Sequence, residues 1–136
     1  MDLERFVTAQ DSGGTYQQAV TELRKGRKTS HWMWFIFPQI AGLGRSAMAQ
    51  AYAISDLAEA QAYLRHPVLG QRLVECAEIV ASHNGLTAEQ IFGGIDSIKL
   101  RSSMTLFARA DPEHPIFRQV IDEYFAGPDP ETERRL

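Results

Sequence analysis

The chain has one cysteine, no long apolar run and no excess of basic residues, and each of these absences excludes a class of protein. Cys76 is the only cysteine, so an intrachain disulfide and a cysteine-rich zinc site are excluded. No apolar run approaches the roughly 18 residues that a membrane-spanning helix requires. The formal net charge of −3 argues against a nucleic-acid partner, which would need a basic surface.

Two further absences bear on location and on cofactors. Residues 1–5 carry charges and lack the apolar core of a signal peptide, so we expect a cytoplasmic protein with no membrane partner. The four histidines show no metal-ligand spacing, so the sequence predicts neither a metal site nor a cofactor. A local basic cluster over residues 24–28 can attract an anion or can simply be the solvated end of a helix.

The overall composition is that of an ordinary globular protein. With 136 residues, of which 44% are hydrophobic and 23% charged, the chain suits one domain with a single core. Apolar residues recur at helical spacing through most of it, which predicts a mainly α, compact single-domain fold of about six to seven helices. We expect this helical domain over residues 1–127 and a charged C-terminal tail over residues 128–136.

Local signals mark several helix ends. Thr15 and Thr87 each begin a capping box, in which the Thr hydroxyl and a Gln amide satisfy the first backbone N–H groups. Gly26 fits the left-handed residue that closes a helix. Pro67 and Pro115 fit the first turns of two later helices, where a missing N–H costs nothing.

The most distinctive segment is Ser30–Gln39, which reads SHWMWFIFPQ and contains both tryptophans of the chain. Periodicity alone does not separate a buried strand from a buried helix in so short a run. Ser30 as a cap and the lack of a partner strand favour a helix from Trp32 to Phe37.

The same segment offers groups that can recognise a ligand. A face of Trp32 or Trp34 can stack on a base or sugar, and Gln39 can form paired hydrogen bonds to an amide-like edge. His31 can act as a general acid or base because its reference pKa lies near neutrality. Rings at this density are also typical of a plain hydrophobic core, so both interpretations stay open.

A glycine turn follows the aromatic run. The residues from Gly42 to Ala47 match the outline G-x-G-x-x-A, ahead of a helix expected to begin near Ser46. Such a turn can aim backbone N–H groups at an anion, and Arg45 would add positive charge. The helical remainder argues against a dinucleotide-binding domain, which alternates strands and helices. Two interpretations remain: an anion site at Gly42, Gly44, Arg45 and Ser46, or a tight turn that needs glycine dihedrals.

A polar stripe is expected on a helix that Asp96 begins, because Asp96, Lys99 and Ser103 lie three and four residues apart. A desolvated, neutral Lys99 can activate Ser103 as a nucleophile, although the Lys-x-x-Ser order reverses that of penicillin-binding enzymes. Arg101 and Ser102 flank the stripe, and Lys99 with Arg101 can equally hold a phosphate or carboxylate. A plain helix cap with an i,i+4 polar pair is the structural alternative.

The run Ser30–Gln39, followed by Gly42-Leu43-Gly44, resembles the opening signature of the bacterial domain-of-unknown-function 1810 family. Further matches extend over essentially the whole chain: Tyr52–Ile54, Glu59-Ala60, Tyr63-Leu64, His66–Gly70, Arg72-Leu73, Ile91–Gly93, Asp96, Lys99-Leu100 and Ser102–Phe107. The resemblance implies a compact, mainly helical domain and no established reaction. Some members are labelled calpastatin, a long disordered inhibitor that does not match the core-forming composition of this chain.

A fainter likeness connects the chain with the NADAR family, which is associated with N-glycosidic chemistry on ADP-ribose-type compounds. It rests on the aromatic-rich opening and on a later helix that contains Lys and Phe. If this chain hydrolyses a glycosidic bond, His31 and Asp96 are the proton-transfer candidates.

These observations predict a pocket for a small anionic or nucleotide-like metabolite, lined by the aromatic run, the glycine turn and the polar stripe. The alternative is a non-enzymatic interaction module whose aromatic patch docks a protein partner, and a third is a ligand-free structural domain. A pocket requires polar groups that converge on a concavity, whereas a docking module requires indoles that lie flat and exposed.

Overall fold

The computed structural model describes residues 2–136, which form ten helices and no strand. The helices are α1 (Glu4–Asp11), α2 (Thr15–Lys25), α3 (Met33–Ile36), α4 (Ala47–Ala51), α5 (Leu57–Arg65), α6 (Leu69–Ala81), α7 (Ala88–Phe92), α8 (Gly94–Ala110), α9 (Pro115–Tyr124) and α10 (Pro130–Arg134). A short 3-10 turn, Ser12–Gly14, joins α1 to α2. The predicted mainly α fold is confirmed. Six helices have eight or more residues, and the other four are single turns.

The longest helix, α8, lies at the centre of the molecule and packs against α5, α7, α9 and α10. Leu100, Met104 and Phe107 are fully buried on one face of this helix, and Leu106 is fully buried on another. A helix that is buried on several sides belongs to a core rather than to a surface. Any polar residue on α8 therefore meets another element more often than solvent.

Four of the local signals act as the sequence predicts. Thr87 forms a complete capping box with Gln90, and the Ser46 hydroxyl accepts a hydrogen bond from the Ala49 backbone N–H. Gly26 closes α2 with a φ of 75°, and Pro115 is the first residue of α9. These devices need only residues three or four positions apart, so the sequence alone specifies them.

Other predicted helix starts are wrong, because the helix begins without a side-chain cap or another residue takes that role. The Thr15 hydroxyl donates to the Ser12 carbonyl, and α2 begins without a side-chain cap. Pro67 lies before the first turn of α6, where His66 Nδ1 accepts hydrogen bonds from the next two backbone N–H groups, at 3.1 and 3.2 Å. Helix α8 begins at Gly94, so Asp96 lies inside its first turn rather than at the cap.

The aromatic run forms a helix, as expected, but α3 covers only four residues. Trp32 and Phe37 flank it in non-helical conformations, so the helix is shorter than the predicted span from Trp32 to Phe37. After Pro38 the chain becomes extended, and Ile40 pairs with Ile54 in an isolated parallel bridge. This bridge holds the end of the aromatic run beside the loop that precedes α5.

The segment over residues 128–136 contacts α8 along one side. Arg101 donates to the carbonyls of Gly127 and Pro128, at 2.8 and 3.1 Å. Ser102 donates to the Asp129 carboxylate, which also caps α10. No helix within residues 2–136 has the length and apolar character needed to cross a membrane.

Candidate functional site

An open cleft of about 380 Å³ lies between the aromatic run and the beginning of α8. Four residues that the sequence singles out line it: His31, Trp34, Asp96 and Lys99. The remaining walls are Lys28, Met33, Phe92, Gly93, Gly94 and Ile95. The volume lies within the range of small-molecule sites, about 300 to 1,000 Å³. The concavity thus combines aromatic walls with a few charged groups.

Two ammonium groups share one carboxylate in this cleft. Lys28 Nζ lies 2.8 Å from one oxygen of Asp96, and Lys99 Nζ lies 3.6 Å from the other. The Lys28 side chain is only 7% exposed, compared with 25% for Lys99. Because two cations face one anion, the formal charge of the cluster is positive. Partial burial weakens screening by solvent, which strengthens its attraction for an anionic group.

Each lysine also lies over an indole ring. Lys28 Nζ is 4.9 Å from the ring centroid of Trp32, and Lys99 Nζ is 5.3 Å from that of Trp34. Such contacts hold the ammonium groups in place through the electrostatic attraction of the ring face. The aromatic run therefore positions the cations of the cleft as well as its apolar walls.

The first turn of α8 forms another wall of the cleft. Gly93 precedes the helix with a φ of 83°, and no side chain caps this end. The first helical bond runs from Ser97 N to the Gly93 carbonyl, so the N–H groups of Gly94, Ile95 and Asp96 lie ahead of it. The positive end of the dipole of a 17-residue helix and unbonded N–H groups together favour an anion. The negative charge of the Asp96 carboxylate offsets part of this positive potential.

The two tryptophans have different environments. Trp32 is 1% exposed, and its indole N–H donates to Glu22 Oε1 at 3.0 Å. Trp34 is half-buried in the cleft wall, and its indole nitrogen is buried without a hydrogen-bond partner among residues 2–136. Leaving a buried donor without a partner costs about 1–3 kcal/mol of stability, so the unbonded Trp34 N–H needs an explanation. Neither indole lies flat on an exposed surface.

A buried carboxylate that the sequence analysis misses organises the segment before α3. Glu22, which is 3% exposed, accepts hydrogen bonds from the backbone N–H groups of Thr29 and Ser30, at 2.7 and 2.9 Å. Its second oxygen accepts from the Ser30 hydroxyl at 2.6 Å and from Gln18. The predicted cap at Ser30 is therefore wrong, since its hydroxyl serves Glu22. A glutamate beside the buried Leu23 on the inner face of α2 is the signal that could have revealed it.

These contacts change the acidity of Glu22. Burial alone would raise the pKa of this carboxyl, but the hydrogen bonds from Ser30, Gln18, Thr29 and Trp32 outweigh it and lower the pKa to about 2. Glu22 is thus ionised at neutral pH. By holding the residues on either side of His31, it fixes the rim of the cleft.

A second, narrow cavity adjoins the cleft. Met33, Trp34 and Lys99 line both, and Gln39, Gly44 and Tyr52 close the narrow one. Its volume is only about 10 Å³, close to the space of a single water. The structure thus brings two further predicted residues, Gln39 and Gly44, next to Trp34.

The other three residues of the glycine turn, Gly42, Arg45 and Ser46, line neither cavity, and both glycines have packing reasons. Gly42 has a φ of 98°, which a residue with a side chain rarely adopts, and the Arg135 side chain lies against it. A Cβ on Gly44 would approach Ala49 Cβ to 2.4 Å. Arg45 and Ser46 are exposed, and Ser46 caps the five-residue helix α4. Local packing and capping thus account for Gly42, Gly44 and Ser46 without a ligand.

The polar residues later on α8 also lie away from the cleft. Ser103 is 0% exposed and its hydroxyl has no partner among the described residues. Arg101 and Ser102 are occupied by the C-terminal segment. Helical spacing groups Ser103 with Lys99 and places Arg101 and Ser102 beside them, but the elements that pack around α8 cover each of the three in a different way. Residues 2–136 also contain no group of three or more His, Cys, Asp or Glu side chains placed to hold a metal ion.

The family model described as "Protein of unknown function (DUF1810)" matches residues 1–136. The chain belongs to the DUF1810 family. A crystal structure of the conserved hypothetical protein Rv1873 from Mycobacterium tuberculosis is similar to it, with a TM-score of 0.96 and 51% identity. That similarity covers 99% of this chain and 96% of the other. No curated protein matches the sequence, and the likeness to NADAR remains unconfirmed.

Proposed function

We propose that this DUF1810 protein binds a small organic anion, of nucleotide-like character, in the cleft at the first turn of α8. The observation that carries the proposal is the convergence of Lys28, Lys99 and the uncapped end of α8 around one carboxylate. Lys28 comes from the loop after α2, and Lys99 comes from α8 itself. Two separate parts of the fold therefore contribute positive charge to one concavity.

The electrostatics favour an added anion. Asp96 faces two ammonium groups and the positive end of a long helix, so one carboxylate leaves a net positive charge around it. A phosphate or carboxylate beside Lys99 would receive charge-assisted hydrogen bonds, which are stronger than neutral ones. The N–H groups of Gly94 and Ile95 can add to these bonds as they do at other helix N-termini.

The walls favour an organic anion over a bare inorganic one. His31, Trp34 and Phe92 place rings around the charged cluster, and Ile95 adds an apolar rim that is 74% exposed. A ligand with a sugar or ring beside its anionic group would cover these surfaces. Mostly apolar walls with a few polar groups that fix orientation are typical of metabolite sites.

A hydrolytic role is a second candidate, because His31 and Asp96 line the same cleft. Cleavage of a glycosidic bond needs one group to protonate the leaving group and another to position water. Ser103 lies outside the cleft, so this version uses no serine nucleophile. The docking-module alternative is less well supported, because it requires exposed indoles.

The test is calorimetric titration with ribose 5-phosphate, AMP and ADP-ribose. We expect at least one to bind, and Lys99→Met to weaken that binding about 10-fold or more, equivalent to about 1.4 kcal/mol. Lys25→Met, an exposed lysine in the last turn of α2, is the matched control and should bind as the parent does. Equal affinity in the parent and in Lys99→Met would contradict the proposal. Release of free base or sugar on prolonged incubation would favour hydrolysis.

A further inference from the structure

The cleft and the narrow cavity share a wall. Met33, Trp34 and Lys99 line both of them. On one side lies the charged cluster around Asp96. On the other side lie aromatic rings and an amide. A single ligand that spans both would meet two different kinds of chemistry.

The narrow cavity has the groups that recognise a planar ring with a polar edge. Phe37 and Tyr52 supply aromatic walls, and Gln39 supplies an amide that can both donate and accept. One hydrogen bond holds the Gln39 backbone in place, because Ile54 N donates to the Gln39 carbonyl at 2.9 Å. Gly44 leaves its wall without a side chain.

Trp34 is the largest of the three side chains that line both cavities. With about 10 Å³ of space, the narrow cavity admits no ring unless one of its walls moves. Trp32 cannot turn freely, because its indole N–H is bonded to Glu22 and its rings pack on Phe37 and Phe92. The Trp34 ring also has neighbours, since it contacts Phe35 and lies 5.3 Å from Lys99 Nζ, but its indole N–H has no hydrogen bond to lose. That buried N–H gains a partner in any conformation that lets it meet an acceptor. The unsatisfied donor thus lowers the free-energy cost of opening.

We propose that Trp34 is a movable partition, and that the opened site takes a ligand that joins an anionic group to a planar ring with an amide-like edge, such as a nucleobase. The proposal rests on the proposed function, because the cleft must first hold the anion. The anionic group lies against Lys99 and the first turn of α8. The ring enters beside Tyr52, stacks on Trp34 and is bonded along its edge by Gln39.

The experiment compares inorganic phosphate, ribose 5-phosphate and AMP, which add a sugar and then a base to the same anion. For the parent protein we expect AMP to bind about 10-fold or more tightly than ribose 5-phosphate, through stacking and edge recognition. Gln39→Leu should bring AMP close to the affinity of ribose 5-phosphate and leave phosphate unchanged. Lys99→Met should weaken all three.

A second readout is recorded on the parent protein, and a variant serves only to assign the peaks. The chain has two tryptophans, so a ¹H–¹⁵N spectrum contains two indole N–H peaks, which Trp34→Phe assigns. AMP should shift the Trp34 peak strongly and leave the Trp32 peak in place, and phosphate should move neither by a comparable amount.

The two proposals fail in different ways. If phosphate and ribose 5-phosphate bind through Lys99, but AMP binds no more tightly and the Trp34 peak stays in place, the movable partition is refuted and the anion site stands. If none of the three binds, or if Lys99→Met binds all of them as the parent does, the anion site is refuted and the partition falls with it.

Discussion

The clearest consequence of the buried Glu22 carboxylate is a stability term that depends on pH. The pKa of Glu22 is about 2 in the folded protein, against an ordinary value of 4.5. That difference corresponds to about 3 kcal/mol in favour of the folded state wherever the carboxyl is ionised in both states. We therefore expect Glu22→Gln to unfold at lower denaturant concentration, with a loss of up to about 3 kcal/mol at pH 7.

The pH dependence follows from the direction of the shift. Because the folded pKa lies below the unfolded one, the unfolded chain takes up the proton first as pH falls. The contribution of Glu22 is fully present above pH 4.5 and is lost as pH falls towards about 2. Gln resembles the protonated acid and has no such titration. The stability difference between the parent and Glu22→Gln should thus shrink across this interval.

The assay is urea unfolding followed by Trp fluorescence, at pH 7 and at steps from pH 4.5 towards pH 2. Glu78→Gln, an exposed glutamate on α6, is the matched control and should change stability by less than about 0.5 kcal/mol. A difference between parent and Glu22→Gln that stays constant over the whole pH range would refute the reasoning. So would an equal loss in the control.

Three further predictions concern stability and can be measured by thermal unfolding. Ser103→Ala should be neutral or stabilising because it removes a buried hydroxyl without a partner, whereas Ser102→Ala should cost about 1 kcal/mol because its hydroxyl bonds Ile98 and Asp129; the reverse order would contradict the assignment. His66→Ala should cost about 1 kcal/mol and His66→Asn less, since Asn restores an acceptor at the start of α6; equal losses would argue against capping. Trp32→Phe should destabilise more than Trp34→Phe, because only the first removes a hydrogen bond from Glu22; a larger loss in Trp34→Phe would contradict the contrast between the two indoles.

Much of the fold follows from short-range signals. The capping box at Thr87, the closing Gly26 and the opening Pro115 involve residues within a single turn, so the sequence predicts them correctly. The mainly α class follows from the helical spacing of the apolar residues. The prediction fails where a residue distant in sequence takes the hydrogen bond of the expected cap. The Ser30 hydroxyl reaches back eight residues to Glu22, a contact that no local pattern contains.

The candidate site is predictable in part, for a physical reason. His31, Trp34, Asp96 and Lys99 meet at one cleft because the aromatic run packs beside the first turn of α8. Helical spacing also assigned Ser103 to this group, but spacing describes one helix and not the elements packed around it. α8 is covered on several sides, so one more turn along it leads into the core.

The distinction between the two indoles lies beyond sequence reasoning. Trp32 and Trp34 are two residues apart in the same apolar run, and either can be the core residue. Glu22 on α2 determines which one is buried, because it accepts a hydrogen bond from the Trp32 indole, whereas Trp34 lies beside the cleft. A glutamate in a helix is usually a solvent-facing residue, which is why its role is visible only in three dimensions.

The most direct test of the anion site is the response of backbone amide resonances to ribose 5-phosphate. If the anion lies at the first turn of α8, the largest shifts will be at Gly94 and Ile95, with little change over residues 42–46. Shifts confined to residues 42–46, or spread evenly over the surface, would contradict the placement of the ligand between Lys28, Lys99 and the beginning of α8.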